Sequence, residues 1–280
     1  MKTHTLLGWA LGALTFAGAG AAFADEQATI NLVNQKTNII ENMHSKAQRA
    51  LVTAAQDRVF PEYFTPGTDK HTLKSRIDNV SLAVQSRFEV DEMCVIDEKG
   101  NEHSRIIGKA IAPDADLSTE EASAPFFKLA FALQPKQVAV APLYVSADTQ
   151  RWVVAYVTPL AVGTGKPAIL HFEHNLDKYR DMVNRGLSGD DRYLLMVTRD
   201  GYVFSDSRKD ISLNAKGDAD DQASYFSNIK SWRLADIDKV SDAVTKAKEG
   251  VIRSKAADGK EYVIAYKPVE SWTIIAVEKQ

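Results

Sequence analysis

The sequence predicts an α+β protein of two tandem modules, each an antiparallel sheet with helices, laid along one long N-terminal helix. Three observations carry that expectation. Apolar residues recur at three- and four-residue steps through Ile30, Val33, Ile39, Ile40, Met43, Ala47, Leu51, Ala54 and Ala55, the stripe of an amphipathic helix. Residues 138–160 hold two β-branched and aromatic runs around a polar turn, 146–151, which reads as an antiparallel hairpin. After Gly189 the order strand, tight turn, strand, helical excursion, hairpin, proline, strand begins again, a repeat of roughly 100 residues with little identity between its copies.

Taken in order, residues 1–24 combine Lys2, an apolar run over 6–16 and the A-x-A pattern Ala22-Phe23-Ala24. This is the pattern of a cleaved export signal, with the mature chain starting at Asp25. The run is short of the ~20 consecutive apolar residues a membrane anchor needs. The long helix is expected over residues 27–60 and closed by Pro61. A second helix over 71–88 presents Leu73, Ile77, Val80, Val84 and Phe88 on one side. A buried strand over 93–96, a turn over 97–100 and a return strand through Arg105 to Ile107 follow. Ser118 and Glu121 have the spacing of a capping box opening a short helix through Phe126 and Phe127. The hairpin arms are expected over 138–145 and 152–158, a last strand over 166–172, and a connecting helix from Leu176 to Gly186.

The second copy reads as strands over 193–198 and 202–205, a polar and helical excursion over 209–248, and strands over 250–254, 261–267 and 272–277. Pro159 and Pro268 recur at the end of the equivalent strand. The expected division is a signal over 1–24, a helix over 25–60, a first module over 61–176, a connecting helix over 177–189 and a second module over 190–280.

A net charge of −3 without basic runs argues against nucleic acid or an anionic membrane surface as a partner. The single Cys94 excludes an internal disulfide. With the export signal, this places the protein in a bacterial periplasm. Neither G-x-S-x-G, H-E-x-x-H nor a P-loop occurs, so no catalytic residue and no cofactor is expected. Gly163-Thr164-Gly165-Lys166 precedes a strand rather than a helix, unlike a phosphate loop.

The segments MCVIDEKGNEHSRI, DLSTEEASAPFFKLA, APLYVSADTQRWVVAYVTPL and PAILHFEHNLD, and in the second copy YLLMVTRDGYVFSDS and DGKEYVIAYKPVESWTIIAVEK, carry a resemblance to a known family. The chain resembles the double Cache (PDC, PAS-like) extracellular sensors over essentially its whole mature length. The resemblance implies two PAS-like modules and a non-catalytic ectodomain whose membrane-distal-type module, the first, holds a small polar metabolite. It also implies a membrane receptor, kinase or chemotaxis partner. Family members with an amino-acid pocket carry an Arg and aromatics before the hairpin, an acid after the hairpin tyrosine and an acid on the last strand. Here Phe126 and Phe127 stand at the aromatics and Glu173 near the last acid, while Ala124 falls at the Arg and Ser146 replaces the acid after Tyr144. The resemblance therefore does not carry amino-acid specificity over. Receptors of the family continue into a transmembrane helix, whereas this sequence ends at Gln280, so a free-standing sensor is expected. A homodimer through the long helix is a second use for its stripe. A solute-carrying protein for a transporter, and an exported enzyme, are the competing classes.

The candidate ligand-binding residues are Arg105, Phe126, Phe127, Tyr144, Ser146, Trp152, Tyr156, His171 and Glu173. Along the second hairpin arm Trp152, Val154 and Tyr156 point one way and Val153, Ala155 and Val157 the other. The aromatic face suits a pocket and the small face suits packing under a helix, although Trp152 and Tyr156 read equally as core aromatics. His171 and Glu173 share a face two residues apart, and a carboxylate buried there needs a partner: a ligand's ammonium or amide, or His171 itself. His174 faces away, which leaves no metal cluster. Arg105 is a fork-shaped donor for an acidic ligand, or an exposed residue of an edge strand. The expected mechanism is closure of the Phe126–Phe127 helix and its preceding loop over a ligand held by the hairpin.

Overall fold

The structure, a computed structural model, describes residues 17–88, 91–187, 189–214, 221–232, 236–256 and 259–280. Of the expected export signal, positions 1–16 lie outside the described residues and the rest open the first helix. Among the described residues no helix is long and apolar enough to cross a membrane. Helix α1 spans Ala17–Ala55, 39 residues, or ~58 Å at the α-helical rise. Val33, Ile40, Ala47, Leu51 and Ala54 of the predicted stripe are buried, and so are the polar Thr29, Lys36, Thr37 and His44. This face packs on both sheets of the chain, so the stripe proposed for a homodimer is covered from within.

α1 stops at Ala55, before the predicted Pro61. Gln56 and Asp57 donate their N–H groups to the Thr53 and Ala54 carbonyls, and the Asp57 carboxylate then accepts from Val59 N at 2.9 Å. That carboxylate starts α2 (Val59–Phe64). Pro61 sits in the first turn of α2, where a missing N–H costs no hydrogen bond.

α3 (Lys70–Phe88) covers β1 (Glu92–Asp97) and β2 (Glu102–Ile107), with β3 (Ala110–Ile111) at the sheet edge. Gly100 turns β1 into β2 at φ +88, and a Cβ there would lie 2.4 Å from the Ala122 nitrogen. Only glycine lets the 3-10 turn Glu121–Ser123 close on this hairpin. The single helix expected from Ser118 is in fact that turn followed by α4 (Phe127–Ala132). Pro125 follows Ala124 and forces it extended, at ψ 144, which separates the two.

The first hairpin arm is also divided, into β4 (Ala139–Val140) and β5 (Tyr144–Val145), both paired with β6 (Trp152–Val162). Val140 pairs with Tyr156 but Tyr144 with Val153, so the arm carries one extra residue around Pro142, a bulge. β6 runs on through Pro159, beyond its last β4 pair at Val157, so proline does not close this strand. β7 (Gly165–Asn175) completes a sheet of order β3-β2-β1-β7-β6-β4, with β5 also on β6.

α5 (Leu176–Asn184) leads to β8 (Arg192–Thr198), β9 (Tyr202–Asp206), α6 (Gln222–Tyr225), β10 (Ser227–Asn228) and α7 (Ile237–Thr245). Then come β11 (Gly250–Lys255), β12 (Glu261–Val269) and β13 (Trp272–Lys279), in a sheet of order β10-β9-β8-β13-β12-β11. In each sheet the last strand lies between the first strand and its own hairpin partner. The repeat legible in the sequence is thus two separate sheets of one topology, the expected tandem PAS-like α+β fold.

Both sheets have one face in a common core with α1, where Met93, Tyr156 and Phe172 of the first meet Leu194, Trp272 and Ile274 of the second. The opposite face of the first sheet lies under α4 and the segment before it. That of the second packs Leu195, Ile264 and Ile275 with Val240 and Val244 of α7.

Candidate ligand site

The alternation read from residues 152–157 is present, but the roles of its two faces are exchanged. Trp152, Val154 and Tyr156 point into the common core and are 0% exposed. Val153, Ala155 and Val157 form the floor under α4, together with Tyr144. Trp152 packs edge-on to Tyr225 and against Phe226 of the second half; its backbone N–H bonds to the Leu213 carbonyl at 2.9 Å, while its indole Nε1 finds no hydrogen-bond partner among the described residues. The Tyr156 hydroxyl lies 2.6 Å from that of Tyr179 and 2.5 Å from His44 Nδ1, so the three side chains form one hydrogen-bonded chain. The Tyr156 hydroxyl that suggested a pocket is therefore satisfied inside the core. Trp152 and Tyr156 cannot share a pocket with Tyr144 and Glu173, because the sheet lies between them.

The α4 face carries the other candidates. Register aligns Glu92 with Glu173 and Cys94 with His171 across β1 and β7, and Cys94 with Arg105 across β1 and β2. All five side chains therefore stand on one face, directly opposite neighbours having Cβ atoms roughly 5 Å apart. Phe126 stacks on His171 with ring centroids 3.8 Å apart, and Phe127 packs on Phe131 beside it. The Tyr144 hydroxyl donates to Glu173 Oε1 and lies 3.0 Å from His171 Nε2. With its proton given to Glu173, the Tyr144 oxygen accepts from Nε2–H, which leaves His171 Nδ1 bare.

Burial pushes His171 down to about 3, so it is neutral and does not neutralise Glu173. Burial, with Asp148 and Glu121 nearby, raises Glu173 to about 7. Burial and the Glu173 charge push the Glu92 carboxyl well up as well. Among the described residues Glu92 accepts from neutral donors, the Cys94 thiol at 3.0 Å and the Ser146 hydroxyl at 3.4 Å.

Arg105 is buried rather than exposed, at 8%. Its guanidinium lies 2.9 Å from Asp148 and 3.4 Å from Glu102, and also donates to the Asp116 carbonyl. These protein acids occupy the fork that the sequence offered to an acidic ligand. Glu102 also accepts from Ser118 N at 2.7 Å, which fixes the segment leading to α4. Glu173 Oε2, Glu102 Oε1, His171 Nδ1, Arg105 Nε and Thr149 Oγ1 are buried without a hydrogen-bond partner among the described residues. Unpaired groups of this kind cost roughly 1–3 kcal/mol each unless another molecule satisfies them.

Ligand atoms of Glu92, Cys94 and Glu102 all lie within 4.8 Å of one another, a cluster the metal argument from His171, Glu173 and His174 did not foresee. Its chemistry does not fit a metal: the Arg105 cation lies against Glu102, and burial with the neighbouring acids keeps the Cys94 thiol protonated. Sequence reasoning missed Glu92 because the first strand was started one residue late, and Glu102 because an acid just past a turn reads as solvated. It passed over Asp148 because a turn acid reads as solvated.

No protein-family profile matches the chain, and no curated protein matches it in sequence. Solved structures do. The sensory domain of the Campylobacter jejuni chemoreceptor Tlp3, with isoleucine bound, aligns with a TM-score of 0.71 and 10% identity, over 96% of this chain and 98% of that one. The extracellular domain of the histidine kinase vpHK1S-Z8 gives 0.70 and 12% over 92% and 95%. A domain of a sensory box/GGDEF family protein from Vibrio parahaemolyticus gives 0.68 and 12% over 91% and 96%. The chain has the fold of these sensory domains.

Proposed function

We propose that the protein is a non-catalytic, small-molecule-binding sensor module, exported to the periplasm and read by a membrane receptor, kinase or chemotaxis partner. The observation that carries this reading is the enclosed polar cluster between the first sheet and α4, where buried acids, a bare imidazole nitrogen and a bare guanidinium nitrogen converge. Phe126, Phe127, Tyr144, Ser146, His171 and Glu173 line the site, with Glu92 and Glu102 added. The 3-10 turn and α4 form its roof. Their withdrawal from Gly100 and His171 admits the ligand, and return closes the site. A transporter's solute carrier closes two lobes about a hinge, whereas here α1 and one common core join the halves.

A thermal-shift screen of amino acids, amines, organic acids and purines tests the reading. At least one compound is expected to raise the melting temperature, by RT ln(1 + [L]/Kd) in free energy. Tyr144→Phe, which removes the hydroxyl donated to Glu173, abolishes that rise. Stabilisation that survives in Tyr144→Phe places the ligand elsewhere, and turnover of the compound contradicts the non-catalytic reading.

A further inference from the structure

We propose that the site takes an organic cation lacking a carboxylate, a primary amine, and that this ligand displaces a proton held between Glu92 and Glu173. The inference rests on the reading of the α4 face as the ligand site. The groups that face the pair are Cys94 on β1, Glu102 and Arg105 on β2, Glu121 on the 3-10 turn, Tyr144 on β5, Asp148 in the hairpin turn and His171 on β7. Arg105 is the cation among them, and its terminal nitrogens are taken by Asp148, Glu102 and the Asp116 carbonyl.

Glu92 and Glu173 are left opposite one another, 3% exposed each, with no cationic partner among the described residues. Two carboxylates so placed cannot both stay charged without a counter-ion, so the pair by itself keeps a proton. An ammonium group supplies the missing charge and three donors, one of them for the unpartnered Glu173 Oε2. A ligand carboxylate would meet the surrounding acids with only Arg105 Nε left to receive it. The amino-acid complex of the Tlp3 domain therefore does not set the ligand class here.

Calorimetric titration of the full protein with butylamine, 1,4-diaminobutane, 4-aminobutanoate and L-isoleucine tests this at pH 6 and pH 8. Buffers of different ionisation heat count the protons. The amines stay charged throughout, with pKa values near that of lysine, about 10.4, so any pH dependence belongs to the protein. Both amines are expected to bind, to release about one proton at pH 6, and to gain about tenfold in affinity by pH 8 as the competent fraction rises. 4-Aminobutanoate and L-isoleucine should bind at least about tenfold more weakly, the cost of an unpaired buried charge. Glu173→Gln keeps the shape, removes the charge, and should both weaken amine binding and flatten its pH dependence. Glu92→Gln serves as an independent second variant if the first does not fold. Amine binding unchanged in both variants, or binding without proton release, overturns the proposal. L-Isoleucine bound more tightly than the amines overturns the cation class and leaves small-molecule sensing standing. Failure of every compound here and in the wider screen overturns both.

Discussion

Below pH 4.5 the folded state should lose stability by roughly 2–3 kcal/mol per pH unit, the slope for about two protons taken up on unfolding at ~1.36 kcal/mol each. The protons belong to His44, His171 and His174. Burial lowers their folded pKa values to about 4, 3 and 3 from an ordinary 6.5. A depressed folded pKa means full stability above pH 6.5, lost as pH falls through 4 and then 3. Glu173 runs the other way: raised to about 7 from 4.5, it stabilises the fold below pH 4.5 and ceases to do so as pH rises through 7. Glu92 acts in the same sense as Glu173. Between pH 7 and 4.5 the acids therefore offset the histidines. Below 4.5 Glu92 and Glu173 are protonated in both states and cease to offset the histidines, while Asp69, Asp97, Asp191 and Asp242, held below the ordinary carboxylate value, act in the same sense as the histidines. Urea denaturation at half-unit steps from pH 7 to 3.5 checks this. A gentle upper limb and a steep lower one are expected, and a lower slope below one proton would contradict it.

Tyr156→Ala should cost roughly 3–5 kcal/mol, the range for removing a fully buried large side chain. The ring is 0% exposed among His44, Phe172 and Tyr179, and its hydroxyl links Tyr179 to His44. The substitution opens a cavity and strands both partners. Ligand-induced stabilisation, measured as the shift relative to the variant's own melting point, should persist because Tyr156 lies behind the sheet. Equilibrium urea unfolding reads the first quantity and thermal shift the second. A loss under about 1 kcal/mol, outside the range for buried aromatics, would contradict the packing described. A vanished ligand shift would return Tyr156 to the site.

The contrast between Tyr156 and Tyr144 marks where the sequence could be read and where it could not. Alternation along residues 152–157 separates two faces reliably, because side chains on a strand point to opposite sides. It does not say which face meets α1, since His44 lies 112 positions from Tyr156. The repeat was legible because turn glycines and hairpins punctuate both copies, whose sheets then share a strand order. His171 with Glu173 was legible as a shared face, and the turn of His174 to the opposite face, here the common core, follows from the same rule. Its ring does lie against Tyr156 and Tyr179. Glu92 was lost to a strand boundary, which local pattern sets only to within a residue or two, and Glu102 to its place just past a turn, where an acid reads as solvated. The division of the 118–132 segment turned on Pro125, and that of residues 138–145 on Pro142. Both prolines were present in the sequence and unused.

A crystal structure of the protein with the most stabilising compound from the screen tests the central claim most directly. Ligand density is expected on the α4 face of the first sheet, bounded by Phe126, Tyr144, Glu92 and Glu173. Density against Trp152 and Tyr156, or in the second half with the α4 face unchanged, would contradict it.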